Sequence, residues 1–318
     1  MIVDLPDTTT AEVSRALVDV RNEGGAVALG RVLTLIISTT SGTEEEAIQA
    51  ANDASREHPM RVVAVVRDDP AGAPRLDAQI RVGGDAGASE VIVLRAAGPA
   101  GADEEGLVTG LLLPDAPVVA WWPGTDTPSV VAESPLGRIA QRRITDAAAH
   151  PDPQETVDRL AETYRPGDTD LAWTRLTLWR AVLAATLDQA PYEPVESVEV
   201  SGAVDSASTE LLAAWLGLAL QVPVSVVLSD RSTGSSGIHG VRMRRASGEI
   251  HLERAVPDVA TLTQPDQPVH DVSLPRRSLR DCLAEELRRQ GPDDLYGDVL
   301  TRGLAALDRG PATGAGGA

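Results

Sequence analysis

The chain of 318 residues contains no phenylalanine and no lysine, and aromatic residues make up only 3% of it. All 28 basic side chains are therefore arginines. The absence of lysine excludes a P-loop phosphate site, Schiff-base chemistry and a Ser-Lys hydrolase. The hydrophobic core must be built from Val, Leu, Ile and Ala, with five tryptophans as its large anchors.

Cysteine occurs once, at Cys282, which excludes an internal disulfide or a CxxC redox couple. Its leucine neighbours at helical spacing predict a packed core residue. No two of the five histidines stand three or four residues apart, so we expect no metal site. The sequence also has no Gly-rich dinucleotide motif after a strand and no serine nucleophile elbow, and we expect no cofactor.

The formal net charge is −19 and the pI is about 4.6. Such an acidic surface repels phosphate backbones and anionic membranes, so we expect neither nucleic acid nor membrane as a partner. The start MIVDLPDTTT has no basic residue and no apolar region, and the longest apolar run, residues 211–220, is too short to cross a membrane. We therefore expect a cytoplasmic protein.

The first half of the chain alternates short apolar segments with helix-start patterns. Thr9 with Glu12, and Thr43 with Glu46, form capping-box patterns before helical periodicity. Strands are predicted in the apolar or alternating segments 31–38, 61–66, 76–82, 89–96 and 116–122. This alternation predicts an α/β domain with a mostly parallel or mixed sheet and flanking helices.

The segment RPGDTD (165–170) has turn chemistry, and we place a domain boundary there. The prediction is an N-terminal domain at 1–166, a C-terminal domain at 167–308 and a disordered tail at 309–318. The C-terminal domain should be mixed α/β with antiparallel strands, since several short strands follow the helix predicted at 206–220. A flexible hairpin loop is predicted at 231–237 and a turn at 82–87.

Tryptophans mark two candidate contact regions. Trp121 and Trp122 are adjacent on a predicted strand, so their rings point to opposite faces, and one of them needs a further layer, a ligand or a partner. A long helix is predicted over residues 170–189. On it, Trp173 and Arg180 share one face, while Arg175 and Trp179 stand four apart on another, which permits a cation–π contact.

These tryptophans and arginines, together with Asp170 at the start of the helix, are our candidates for a partner contact or for the seam between the domains. The competing interpretation is simple packing inside the chain. The sequence alone leaves both open.

Three further residues suggest a different site. Arg142 could clamp a phosphate, Arg61 begins a predicted strand, and His58 lies at a helix-to-strand junction where a general base is possible. Together they would suit a sugar-phosphate-binding enzyme or a metabolite sensor. Internal ion pairing of the arginines is the competing interpretation in so acidic a chain.

A series of stretches resembles one known family. They are the start MIVDLPDTTT and then GRVLTLII, EHPMR, PRLDAQIRVG, SEVIVLRAAGP, LLLPDAPVVAWWPG, LGRIAQRRITDA, GDTDLAWTRLTLWRAVLAATLDQ and CLAEELRRQGPDDLY. In order and length they are similar to the glucose-6-phosphate dehydrogenase assembly proteins, the OpcA family.

The resemblance implies two α/β domains and a non-catalytic protein. It would bind glucose-6-phosphate dehydrogenase and act as an assembly factor or allosteric activator in the oxidative pentose phosphate pathway. The composition suits an actinobacterial member. The lone Cys282 departs from any dithiol switch, so redox control within the chain is not carried over.

Overall fold

The computed structural model describes residues 1–23, 32–82, 90–229 and 236–307. The chain divides into two compact units. Unit 1 comprises Met1–Ala149, Arg165–Leu171 and Ser278–Asp293, and unit 2 comprises His150–Tyr164, Ala172–Arg277 and the described residues from Asp294 onward. The predicted boundary divides the chain once, after residue 166. In the structure, by contrast, each compact unit consists of three separate stretches of the chain. The predicted tail, the turn at 82–87 and most of the loop at 231–237 lie outside the described residues.

Unit 1 is built on an eight-stranded sheet within the described ranges. Its strands are β1 (Ile2–Leu5), β2 (Leu33–Thr40), β3 (Met60–Arg67), β4 (Arg75–Arg81), β5 (Glu90–Ala97), β6 (Val118–Trp122), β7 (Arg142–Thr145) and β8 (Asp168–Asp170). They lie in the order β1-β4-β5-β3-β2-β6-β7-β8. β1 and β4 are antiparallel to their neighbours, and the other six strands run parallel.

The six parallel strands follow one another in space as third, second, first, fourth, fifth and sixth in the chain. This is the order of a doubly wound dinucleotide-binding sheet. The predicted α/β class with a mostly parallel sheet is thus confirmed. β1, β7 and β8 were not predicted, because short segments such as RRIT and DTD carry no apolar periodicity and owe their conformation to strand pairing.

The helices of unit 1 are α1 (Thr10–Glu23), α2 (Glu44–Ala54), α3 (Glu104–Thr109), α4 (Pro135–Ile139) and, from the late segment, α9 (Leu279–Arg288). At the start of α1 the capping box forms as predicted: Thr9 N–H donates to the Glu12 carboxylate at 2.9 Å, and Glu12 N–H donates to Thr9 Oγ1 at 3.3 Å. The box predicted at α2 does not form, because Thr43 Oγ1 donates to the Thr40 carbonyl instead.

The core of unit 1 brings α2 and α9 against the central strands. Ala47, Ile48 and Ala51 of α2 share a buried cluster with Cys282 and Leu283 of α9. Cys282 is 0% exposed, as its leucine neighbours predict. The cluster joins residues more than two hundred positions apart, so unit 1 is incomplete without α9.

Unit 2 contains a six-stranded sheet among its described residues. Its strands are β9 (Ser197–Ala203), β10 (Val224–Ser229), β11 (Ile238–Arg245), β12 (Gly248–Val256), β13 (Val259–Thr263) and β14 (His270–Ser273). They lie in the order β10-β9-β11-β12-β13-β14. Only β10 and β9 are parallel, so the predicted antiparallel portion is confirmed. β13 was not predicted.

The helices of unit 2 are α5 (Pro153–Thr163), α6 (Leu171–Thr174), α7 (Thr177–Leu187), α8 (Ala207–Leu220), α10 (Asp294–Asp298) and α11 (Leu304–Ala306). The first residue of α6, Leu171, belongs to unit 1. A π-helical turn, Val299–Gly303, joins the last two. α8 packs on one face of the sheet, where a Cβ on Gly217 would lie 3.4 Å from a methyl group of Val224. The opposite face is polar and accessible, with Arg242, Arg244 and Glu249 exposed.

The single long helix predicted at 170–189 is wrong, because Asp170 ends β8 and the rest is divided into α6 and α7. The Thr174 carbonyl accepts hydrogen bonds from Thr177 Oγ1 at 3.0 Å and from the Arg277 guanidinium at 2.9 Å. Side chains therefore satisfy the carbonyl that a continuous helix would pair with a backbone N–H. Periodicity cannot reveal this break, because Arg277 lies about a hundred residues away.

Candidate functional site

The carboxyl edge of the parallel strands in unit 1 is where a doubly wound sheet binds ligands. The crevice opens where the strand order reverses, which here lies between β2 and β6. In dinucleotide-binding members of this fold, the helix after the first parallel strand points its N-terminal N–H groups at a pyrophosphate. The equivalent helix in this chain is α2.

A carboxylate of the chain itself lies at the N-terminus of that helix. Gly42 N–H donates to Glu44 Oε2 at 2.6 Å, and the Arg95 guanidinium also binds the Glu44 carboxylate. Glu44 is only 6% exposed. Burial raises its pKa, but hydrogen bonds from its own N–H, from Arg95 and from Gly42 outweigh this and hold the pKa below its usual value. The Glu44 carboxylate therefore takes up the Gly42 N–H and the Arg95 guanidinium, two donors that an anionic ligand at the start of α2 would need.

Other charges along this edge are paired as well. Arg67, at the end of β3, lies 3.5 Å from Glu104 and 3.2 Å from Asp126. Ser38 Oγ donates to the same Glu104 oxygen, Oε1, at 3.1 Å. The edge thus presents carboxylates and neutralised arginines, an electrostatic environment that disfavours a phosphate.

The three residues proposed for a sugar-phosphate site lie elsewhere. Arg61 Nε donates to Glu90 at 2.7 Å, and Arg142 binds the carboxylate of Glu286; both guanidiniums are buried. Both arginines stand at the beginnings of their strands, at the amino edge of the sheet. His58 is half-buried after α2. The structure gives both arginines ion-pair roles inside unit 1.

Trp121 and Trp122 are both buried, at 0% and 1% exposure. The Trp121 ring belongs to the core cluster with α2 and α9, and Trp122 points to the other face of β6. Within the described part of the chain, neither indole N–H has a hydrogen-bond partner. Asp170 is also 0% exposed, and its carboxylate accepts from Thr145 Oγ1 at 2.6 Å and from Ala147 N–H at 2.9 Å.

Trp173 and Trp179 anchor α6 and α7 inside unit 2. The Arg180 guanidinium lies 3.8 Å from the centre of the Trp173 ring. The same ring packs at a tilt against Tyr296, with 5.9 Å between the ring centres. We expected Arg175 near Trp179, and the cation found over that ring is Arg254, at 5.0 Å. Burial lowers the pKa of Arg254, and the nearby charge of Arg276 lowers it further.

With the tryptophan rings turned inward, α7 presents small apolar residues to solvent. Ala181, Ala184 and Ala185 are exposed, and Tyr192, five residues after the helix, is 81% exposed. The sequence alone does not single out Tyr192, because a single tyrosine in a loop has no periodic context. Nor does it single out Trp215 on α8, the one tryptophan of five that is only half-buried.

Two family models match the chain. The first describes the N-terminal domain of a glucose-6-phosphate dehydrogenase subunit of the OpcA type and matches residues 51–162. The second describes the C-terminal domain of that subunit and matches residues 166–300. No curated protein sequence matches significantly. Within the described ranges, no helix has the length and apolar character needed to span a membrane.

Solved structures of oxidoreductases are similar at low identity. An oxidoreductase from Sinorhizobium meliloti is 11% identical, with a TM-score of 0.48 over 86% of this chain and 94% of that chain. The 3-ketoreductase KijD10 from Actinomadura kijaniata is 12% identical, with a TM-score of 0.44 over 86% and 96%. Glucose-6-phosphate 1-dehydrogenase from Mycobacterium avium is 10% identical, with a TM-score of 0.40 over 84% and 90%.

Proposed function

The chain belongs to the OpcA family of glucose-6-phosphate dehydrogenase assembly proteins, and from this premise we propose that it binds glucose-6-phosphate dehydrogenase and activates it without catalysing a reaction itself. The observation that carries the proposal is the match of both family models, which together extend from residue 51 to residue 300. The protein would thereby act in the oxidative pentose phosphate pathway, to which that dehydrogenase belongs.

The carboxyl edge of unit 1 supports the non-catalytic part of this proposal. Glu44 and Arg95 fill the position at the start of α2 where a dinucleotide phosphate would bind. A dinucleotide would have to displace a buried carboxylate from an arginine and from a backbone N–H. The fold is thus one that supports dehydrogenases, with its anion position occupied by the chain.

An activator of this kind works through differential affinity. It must bind the active or assembled form of the dehydrogenase more tightly than the inactive form, and the ratio of the two affinities sets the size of the activation. The contact surface therefore has to be exposed in the free protein or become exposed on binding.

We assign the contact to the exposed face of α7 and to Tyr192. The face is apolar at Ala181, Ala184 and Ala185, and α7 carries only one charged residue, Arg180. Tyr192 is the most exposed large apolar side chain of the described residues. Tyrosine is enriched among residues that dominate binding energy, and depletion of charge is typical of interface centres. The buried Trp173 and Trp179 would hold this face in place.

The first test mixes the purified chain with the dehydrogenase from the same cell. We expect light scattering on a sizing column to show a complex at micromolar concentrations, with more NADP reduced per dehydrogenase in those fractions. The chain alone should neither oxidise glucose 6-phosphate nor gain thermal stability from NADP or a sugar phosphate. Turnover by the isolated chain, or the absence of a complex, would contradict the proposal.

A variant locates the contact. Ala185→Arg adds a charge to the exposed face of α7 and should weaken the complex by about tenfold, since an unpaired charge at an interface costs about 1.4 kcal/mol or more. Ala11→Arg makes the same change at an exposed position of α1 and serves as the control. Both should fold, as circular dichroism will report. Equal activation of the dehydrogenase by both variants would remove α7 from the interface.

A further inference from the structure

Three of the four edge strands in the described chain have features that disfavour pairing with a strand of another chain. β1 has only four residues and contains Asp4. β8 has only three residues, including Asp168 and Asp170, and the short β14 contains Asp271. Charges, proline and short length are the usual protection of sheet edges against pairing with another chain.

The fourth edge, β10, has none of this protection. It extends over six residues with the sequence VSVVLS, without a charge or a proline. Val227 is 49% exposed and Leu228 is 37% exposed. In a chain with a net charge of −19, an uncharged strand at an open edge is exceptional. Such an edge is a template for a further strand.

The backbone of β10 has donors and acceptors directed to the open side. Val198 N–H donates to the Pro223 carbonyl and Val204 N–H to the Ser229 carbonyl, each at 3.0 Å. Because bonding direction alternates along a parallel pair, residues 223, 225, 227 and 229 face β9. The N–H and C=O groups of Val224, Val226 and Leu228 therefore point away from it, where the described chain provides no further strand.

We propose that β10 pairs antiparallel with β10 of a second copy of this chain. A two-fold axis perpendicular to the sheet would pass by Val226 and join the two six-stranded sheets into one. In this register Val226 lies opposite its own copy, and Val224 lies opposite Leu228. All three outward donors and acceptors of each strand then find partners.

The side chains fit the same register. Val224, Val226 and Leu228 point to the face of the sheet that α8 covers. In the proposed dimer, the apolar side chains of the two copies would therefore meet beside that helix. On the open face Ser225 would lie opposite Val227. A symmetric contact requires one patch to be complementary to itself, and this strand satisfies that requirement. The absence of charge also lets two acidic chains approach here without direct repulsion.

The test measures self-association by sedimentation over a series of concentrations. We expect the wild-type chain to dimerise and Val227→Lys to weaken dimerisation by about tenfold or more, since a lysine on an edge strand blocks pairing. Ser273→Lys on β14, the other edge of the same sheet, should dimerise like the wild type. Both positions are exposed, and circular dichroism will report that both variants fold.

Cross-linking tests the register. Residues 225 and 227 of opposite copies would form a non-hydrogen-bonded pair with Cα atoms about 4.5 Å apart, within the range that a disulfide spans. Ser225→Cys protein mixed with Val227→Cys protein should give a disulfide-linked dimer under mild oxidation, while each variant alone should not. Cys282 is buried and should not react.

A wild-type chain that stays monomeric at all concentrations would overturn the proposal, as would a Val227→Lys variant that still dimerises. If Val227→Lys instead abolishes only the complex with the dehydrogenase, the strand that pairs with β10 comes from the dehydrogenase. That result would exclude pairing of β10 with a second copy of this chain. These results are separable from the proposed function, whose failure would appear as the absence of the mixed complex.

Discussion

At the scale of single residues, Glu44 is a buried carboxylate at the start of α2. Its carboxylate is held by Arg95 and by Gly42 N–H at the start of α2. Because these bonds lower its pKa, Glu44 stabilises the folded state above pH about 4.5, and this contribution is lost as the pH falls through the lower pKa of the folded state.

Glu44→Gln should therefore cost about 1–3 kcal/mol of unfolding free energy near neutral pH, because a charge-assisted hydrogen bond is lost. The difference from the wild type should shrink as the pH is lowered below about 4. Urea denaturation at several pH values measures both effects. Glu46→Gln, an exposed carboxylate in the same helical turn, is the control and should change stability much less. A difference between Glu44→Gln and wild type that is the same at every pH would contradict this account.

At the scale of elements, α9 determines whether unit 1 is complete. Its Glu286 binds Arg142 at the start of β7, and both side chains are 2% exposed. Arg142 also donates to the Gly291 carbonyl just beyond the helix. A buried pair costs much to break but little to replace as a whole.

We expect Arg142→Leu to lower the unfolding free energy by about 3–5 kcal/mol, because Glu286 is left buried without its partner. The double variant Arg142→Leu with Glu286→Leu should recover most of this loss. The midpoints of chemical denaturation compare the two. A double variant as unstable as the single one would mean that the arginine acts mainly through Gly291 or through packing.

At the scale of the whole molecule, the two proposed contacts lie on different elements of unit 2 and should be separable. Val227→Lys changes β10 and should leave activation of the dehydrogenase intact, whereas Ala185→Arg changes α7 and should leave self-association intact. Measuring both properties on both variants tests this. Loss of both properties in either variant would show that dimerisation and activation depend on each other.

Much of the local structure followed from the sequence. Thr9 and Glu12 are three residues apart, so their capping box depends on little beyond the helix itself. The apolar segments of β2, β3 and β5 and the packed position of Cys282 were equally readable. In each case the pattern that predicts the structure lies within one turn or one strand, even where the final contact, such as that of Cys282 with α2, comes from a distant part of the chain.

Only the tertiary structure determined the strand order, the position of α9 and the interaction partners of the arginines. Arg142 and Glu286 are 144 positions apart. Arg254 of strand β12 lies over the ring of Trp179 on helix α7. The break between α6 and α7 likewise depends on Arg277. The open edge of β10 is visible only once its neighbours are known. A sequence pattern reflects the local conformational preference of a residue. Its partners from distant parts of the chain depend instead on how the helices and strands pack.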